Sequence, residues 1–145
     1  SRLRAWAAAQ RSFSDFHLTV EASQVSGPDD NEYGVQVRMQ DRTHLYRFSI
    51  SGDGYYQVSR LDGDSELLLT PEWTPSPAIH TGVATNVLEV ICQGPRMTFL
   101  VNGTLLAEVE DSRYKAGDIA LFAGSFHDPG DGVEIHFDNL RLTAP

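Results

Sequence analysis

The chain has 145 residues, of which 41% are hydrophobic, 10% aromatic and 21% charged. That is the composition of one ordinary globular domain, and it excludes disordered, collagenous and coiled-coil readings. Twenty acidic against eleven basic residues leave a formal charge of -9, which repels phosphate backbones and anionic lipid, so neither nucleic acid nor direct membrane insertion is expected.

In chain order, the first dozen residues read as an N-terminal linker or short turn. Arg4 to Gln10 holds good helix formers but only one large apolar side chain, Trp6, with which to dock. The folded domain is therefore expected over residues 13–145. From Phe13 onward apolar and polar residues alternate with period 2, broken at short intervals by Gly, Pro, Asn and Asp, which predicts an all-β sandwich or barrel. The runs are Phe13 to Ala22, Tyr33 to Gln40, Leu45 to Ser51, Tyr55 to Leu61, Leu67 to Thr70, Asn86 to Gln93, Met97 to Val101, Thr104 to Val109, Asp118 to Ala123 and Gly132 to Thr143.

Ser51-Gly52-Asp53-Gly54 and Asn102-Gly103 are hairpin turns, because Gly and Asn supply positive φ cheaply. Pro71 to Gly82, with Trp73 inside it, reads as a loop crossing between sheets. The single Cys92 excludes an internal disulfide and lies in an apolar run, as a small buried hydrophobe. The last run changes phase: Val133, Ile135 and Phe137 share one parity, Leu140 and Leu142 the other. Keeping both sets inside requires a β-bulge at Asp138-Asn139, which re-aims a carboxylate and an amide.

Alternation also assigns faces. Tyr33, Val35, Val37 and Met39 point one way with Tyr46, Phe48, Ile50, Tyr56 and Val58, which leaves Gln36, Arg38, Arg47, Tyr55 and Gln57 on the other face. Arg38 and Arg47 as cross-strand neighbours would repel unless a carboxylate or ligand sits between them, and Glu89 is the candidate carboxylate.

The strings Gly27-Pro28-Asp29-Asp30-Asn31-Glu32-Tyr33-Gly34-Val35-Gln36-Val37-Arg38, Leu45-Tyr46-Arg47-Phe48-Ser49-Ile50-Ser51-Gly52-Asp53-Gly54-Tyr55-Tyr56, Phe99-Leu100-Val101-Asn102-Gly103, Gly117 to Ala123 and Phe137-Asp138-Asn139-Leu140 carry a likeness. Over about residues 13–143 the chain resembles bacterial concanavalin A-like (laminin G-like) jelly-roll domains. Within these it is similar to a family of unknown function related to one named for 3-keto-disaccharide hydrolysis. The resemblance implies an all-β jelly roll of two antiparallel sheets, one concave, with sugars bound on the concave face or its rim. It also implies an extracytoplasmic module of a larger bacterial protein, whose other domains are partners. A structural calcium ion at a sheet edge is implied too, with Asp138 matching the superfamily's aspartate and Asp30 and Asn31 supplying further oxygens.

A glucanase of this fold needs alternate carboxylates in the pattern Glu-x-Asp-x-(x)-Glu, which the chain lacks. His17, His44, His80, His127 and His136 are scattered without metal spacing or a Gly-x-Ser-x-Gly turn. The expectation is a non-catalytic module that binds a glycan through Gln36, Arg38, Arg47, Tyr55 and Gln57, with Trp73 on the neighbouring loop and Glu89 near the arginines. The alternatives are an interaction or structural module without a small ligand, and a hydrolase of modified (3-keto) disaccharides.

Overall fold

The computed structural model describes the backbone of residues 2–125 and 132–145 and the side chains of 12–124 and 132–145; His127 lies outside them. Twelve strands occur among the described residues: β1 (Arg2–Phe13), β2 (Phe16–Ser26), β3 (Asn31–Asp41), β4 (His44–Ile50), β5 (Tyr55–Asp62), β6 (Ser65–Leu68), β7 (Thr74–Pro75), β8 (Thr85–Gln93), β9 (Arg96–Val101), β10 (Thr104–Glu110), β11 (Gly117–Ser125) and β12 (Glu134–Thr143). They form a seven-stranded sheet, ordered β1-β11-β3-β4-β5-β6 with β7 paired to β5, and a five-stranded sheet, ordered β10-β9-β8-β2-β12. All the pairings are antiparallel.

The core is made by the parities that alternation predicts. Tyr33, Val35, Val37, Tyr46, Phe48, Ile50 and Val58 of one sheet meet Leu18, Val20, Leu88, Val90, Met97, Phe99 and Val101 of the other, all at 0% exposure. The Phe48 and Phe99 rings join the sheets edge to face at 5.5 Å between centroids. Cys92 is buried in this core, and burial pushes its thiol up to about 12, so it is inert. The segment from Pro71 carries the chain between sheets as expected, and its only regular piece is the two-residue β7 against Tyr55 and Tyr56.

Two expectations fail. Residues 2–12 of the expected 1–12 linker are not one, because Arg2–Phe13 is a strand registered along β11 from Arg2↔Ser125 to Phe13↔Gly117. It needs no apolar face of its own to be held, since the unpaired backbone edge of β11 satisfies its donors and acceptors. The bulge in β12 does occur, as a register shift between Asp138 and Arg141 with Asn139 at φ 54°. It brings Leu142 against the core but leaves Leu140 outside at 40% exposure, because Leu140 falls within the unpaired step itself.

Candidate functional site

The face of the seven-stranded sheet turned away from the core is built by β3, β4, β5 and β11. Register sets its rows: Ala120, Gln36, Arg47 and Ser59 lie across one line, and Phe122, Gly34, Ser49 and Gln57 across the next. Glu32, two residues before Gly34, extends the same face toward the Ser51 turn and Tyr55. Gly34 is required there, since a Cβ would come within 2.0 Å of the Phe48 carbonyl oxygen.

The sequence places Gln36, Arg47, Gln57 and Tyr55 on this face correctly, but the expected solvated platform is closed. Gln36 is 3% exposed, Arg47 8% and Gln57 7%, and only Tyr55, at 38%, is open. Buried polar groups must find partners, and these do. With its amide oxygen turned to the guanidinium, Gln36 accepts from Arg47 Nη2 at 3.0 Å and Nε at 3.2 Å. The guanidinium carbon lies 4.9 Å from the Phe122 ring centroid, a cation–π contact. The Ser49 hydroxyl donates to Glu32 Oε2 at 2.7 Å, and the Ser59 hydroxyl to Glu66 Oε2 at 3.2 Å.

Glu32 is the carboxylate of this face that feels the Arg47 charge, although its hydrogen bond is to Ser49 and not to the guanidinium. Burial pushes its carboxyl above the ordinary range, against the opposing pull of the Ser49 hydroxyl and the Arg47 charge, and Glu66 adds to the rise. Sequence reasoning missed Glu32 because the strand was begun two residues late, at Tyr33 instead of Asn31. Its parity with Gly34 and Gln36 was the available signal.

Glu89 does not serve. It stands on β8 of the five-stranded sheet, opposite Thr19, and its Oε2 lies 2.5 Å from His17 Nε2. Arg38 also leaves the platform. The β3–β4 register breaks between Val37 and Asp41, and Arg38 takes φ 50°, which turns its side chain inward to 1% exposure. There it donates from Nε to Ser14 O at 3.0 Å, from Nη2 to Ser14 O at 2.6 Å, and from Nη1 to Gly94 O at 2.7 Å and Tyr114 O at 3.4 Å. The feared Arg38–Arg47 repulsion is avoided because the two never share a face.

Beyond Tyr55 the face opens into a pocket of about 260 Å³ lined by Asp30, Asn31, Ser51, Asp53, Tyr55 and Trp73. The Ser51–Asp53 turn forms one wall, where the Ser51 hydroxyl donates to the Asp53 carboxylate and accepts from the Tyr55 amide at 3.1 Å. Pairing of Tyr55 with Pro75 and of Tyr56 with Thr74 draws the Pro71 loop, and Trp73 with it, to the rim. In sequence Asp53 is one residue of a turn signal, and its place as a lining group comes only from the closure of that turn.

The calcium ligand set does not assemble. Asn31 spends its amide oxygen on the Gly52 amide at 2.7 Å and its nitrogen on Gln24 Oε1 and Pro28 O. Asp138 registers with Glu21 on the β2–β12 edge and accepts the Asn139 amide at 2.8 Å. Among the described residues no three His, Cys, Asp or Glu side chains gather around one point.

Two facing antiparallel sheets with crossovers of this order define a concanavalin A-like jelly roll, and solved structures share it. A carbohydrate-binding module, CBM66, from Bacillus subtilis superposes with a TM-score of 0.76 at 15% identity over 92% of this chain and 78% of its own. Sheep galectin-11 gives 0.64 at 13% identity over 97% and 96%, and a protein predicted to be a glycosyl hydrolase, from Parabacteroides distasonis, 0.64 at 15% over 93% and 80%. No curated protein sequence matches the chain. Residues 3–143 match the model of the 3-keto-alpha-glucoside-1,2-lyase-like domain, and the chain belongs to that family. The match includes nearly all of β1, in keeping with its place in the sheet.

Proposed function

We propose that the domain binds a neutral saccharide in the pocket between Tyr55 and Trp73, without cleaving it, as an extracytoplasmic accessory module of a larger protein. The carrying observation is that the Tyr55 end of the polar face opens into a pocket that presents two aromatic side chains among Asp30, Asn31, Ser51 and Asp53. Aromatic rings lie against the apolar faces of pyranoses while carboxylates such as Asp30 and Asp53 take their hydroxyls, so the lining suits a sugar residue. Likeness to a carbohydrate-binding module and to a galectin supports the same reading. A neutral-glycan panel followed by calorimetry tests it: Tyr55→Ala or Trp73→Ala should weaken a hit by roughly tenfold with the melting temperature little changed. A cooperatively folded wild type that binds no neutral saccharide refutes it.

A second reading follows from Glu32. A carboxyl raised by burial beside an arginine is a common arrangement for a general acid, and the family is named for a lyase-like domain. Release of monosaccharide from a 3-keto-glucoside, lost in Glu32→Gln, would establish this reading in place of the first.

A further inference from the structure

The bulge in β12 has no counterpart in the saccharide pocket, because it lies on the other sheet and faces the other way. Register between Asp138↔Glu21 and Arg141↔Thr19 skips Asn139 and Leu140. Asn139 adopts φ 54°, a left-handed conformation that Asn tolerates better than most residues. The step is locked from outside: Asn139 Nδ2 donates to Glu21 Oε2 at 2.5 Å, while the Asp138 carboxylate accepts the Asn139 amide.

These residues enclose a recess of about 540 Å³ lined by Thr19, Glu21, Val87, Asn139, Leu140 and Arg141. Leu140 is left exposed at its wall rather than packed in the core. Arg141 is exposed and has no hydrogen-bond or ion-pair partner among the described residues. The nearby Glu21 carboxylate is instead engaged by Asn139. The recess thus combines an uncommitted guanidinium, a hydroxyl, a fixed carboxylate with acceptor capacity remaining, and two apolar side chains.

We infer that this recess is a second ligand site, taking a small carboxylate that also carries hydroxyl groups, such as a terminal uronic acid. Arg141 pairs with the ligand carboxylate, for which guanidinium geometry is suited. Glu21 accepts a ligand hydroxyl, Thr19 adds a second hydrogen bond, and Val87 and Leu140 take the apolar face of the ring. The overall charge of -9 opposes any anion at a distance, so binding of the uronate rests on its local pairing with Arg141.

The test titrates the full chain with glucuronic acid, galacturonic acid and glucose, by calorimetry and by mapping of amide shifts in heteronuclear NMR spectra. The expected result is that the uronates shift the amides of Thr19, Glu21, Asn139 and Leu140. Arg141→Gln should weaken them by about tenfold or more, the loss expected for a charge-assisted hydrogen bond, with Arg141→Lys intermediate and Tyr55→Ala without effect. Glucose should bind there more weakly than either acid. Uronate shifts that fall only at Tyr55 and Trp73, affinity indifferent to Arg141→Gln, or no shift up to the solubility limit would each overturn the assignment. Because Arg141 is exposed on an edge strand, an unchanged melting curve separates lost binding from lost folding.

Discussion

Arg38 offers the sharpest perturbation, because the sequence assigned it to a ligand and the structure assigns it to the fold. Its fork ties three separate backbone segments: Ser14 in the β1–β2 turn, Gly94 in the β8–β9 turn and Tyr114 before β11. Its side chain is itself 1% exposed, beneath those turns. Arg38→Ala leaves those carbonyls without their donor and opens a cavity, and losses for breaking such a buried charged network are about 3–5 kcal/mol. For a domain of this size that corresponds to roughly 6–20 °C in Tm. Arg38→Lys should recover only part, since an ammonium cannot span the same fork. Arg38→Gly should be no less stable than Arg38→Ala, because glycine relieves the left-handed φ. Urea denaturation of the three variants measures this, and saccharide affinity measured on the folded fraction should be unchanged. A loss below about 0.5 kcal/mol in Arg38→Ala, the range of an ordinary surface change, would refute the structural assignment.

Three further outcomes are expected. Glu32 has a folded-state pKa above its ordinary value, so it favours folding most when protonated. That contribution is lost as pH rises from its unfolded pKa through the raised folded one. Glu32→Gln should therefore gain stability relative to wild type at neutral pH, with the gap closing toward pH 4; a gap that widens on acidification would contradict the burial argument. Deleting residues 2–12 exposes the β11 edge and should lower Tm and promote association, seen by light scattering, whereas an unchanged melt would restore the linker reading. Adding calcium or chelator should leave the melting curve unmoved, because the Asn31 amide is committed to Gly52, Gln24 and Pro28; a chelator-induced fall in Tm would show an ion the described ligands do not account for.

Much of the architecture was legible along the chain because its signals are local. Side chains of a strand alternate with period 2, so the parity of Val35, Val37, Phe48 and Val58 alone separates core from outer face, and the Asn102-Gly103 and Ser51 to Gly54 turns fix where strands reverse. The phase change at Asp138-Asn139 predicted the bulge for the same reason. The site was legible only in part. Gln36, Arg47, Gln57 and Tyr55 share the expected face, since each obeys its strand's parity.

What tertiary structure alone decided is which neighbours those side chains meet. Parity cannot see extra residues bulged out of the strand itself, and one such break after Val37 in β3 took Arg38 from the expected outer face to a buried position. Sheet order cannot be read from strand sequence, so Glu89 was set beside Arg47 although β8 lies in the opposite sheet, and the carboxylate on the Arg47 face is Glu32. Edge pairing likewise depends on backbone donors left open elsewhere, which is why β1 forms on β11 without an amphipathic signal of its own. Side-chain pattern determines which way a strand faces; only long-range packing determines what it faces.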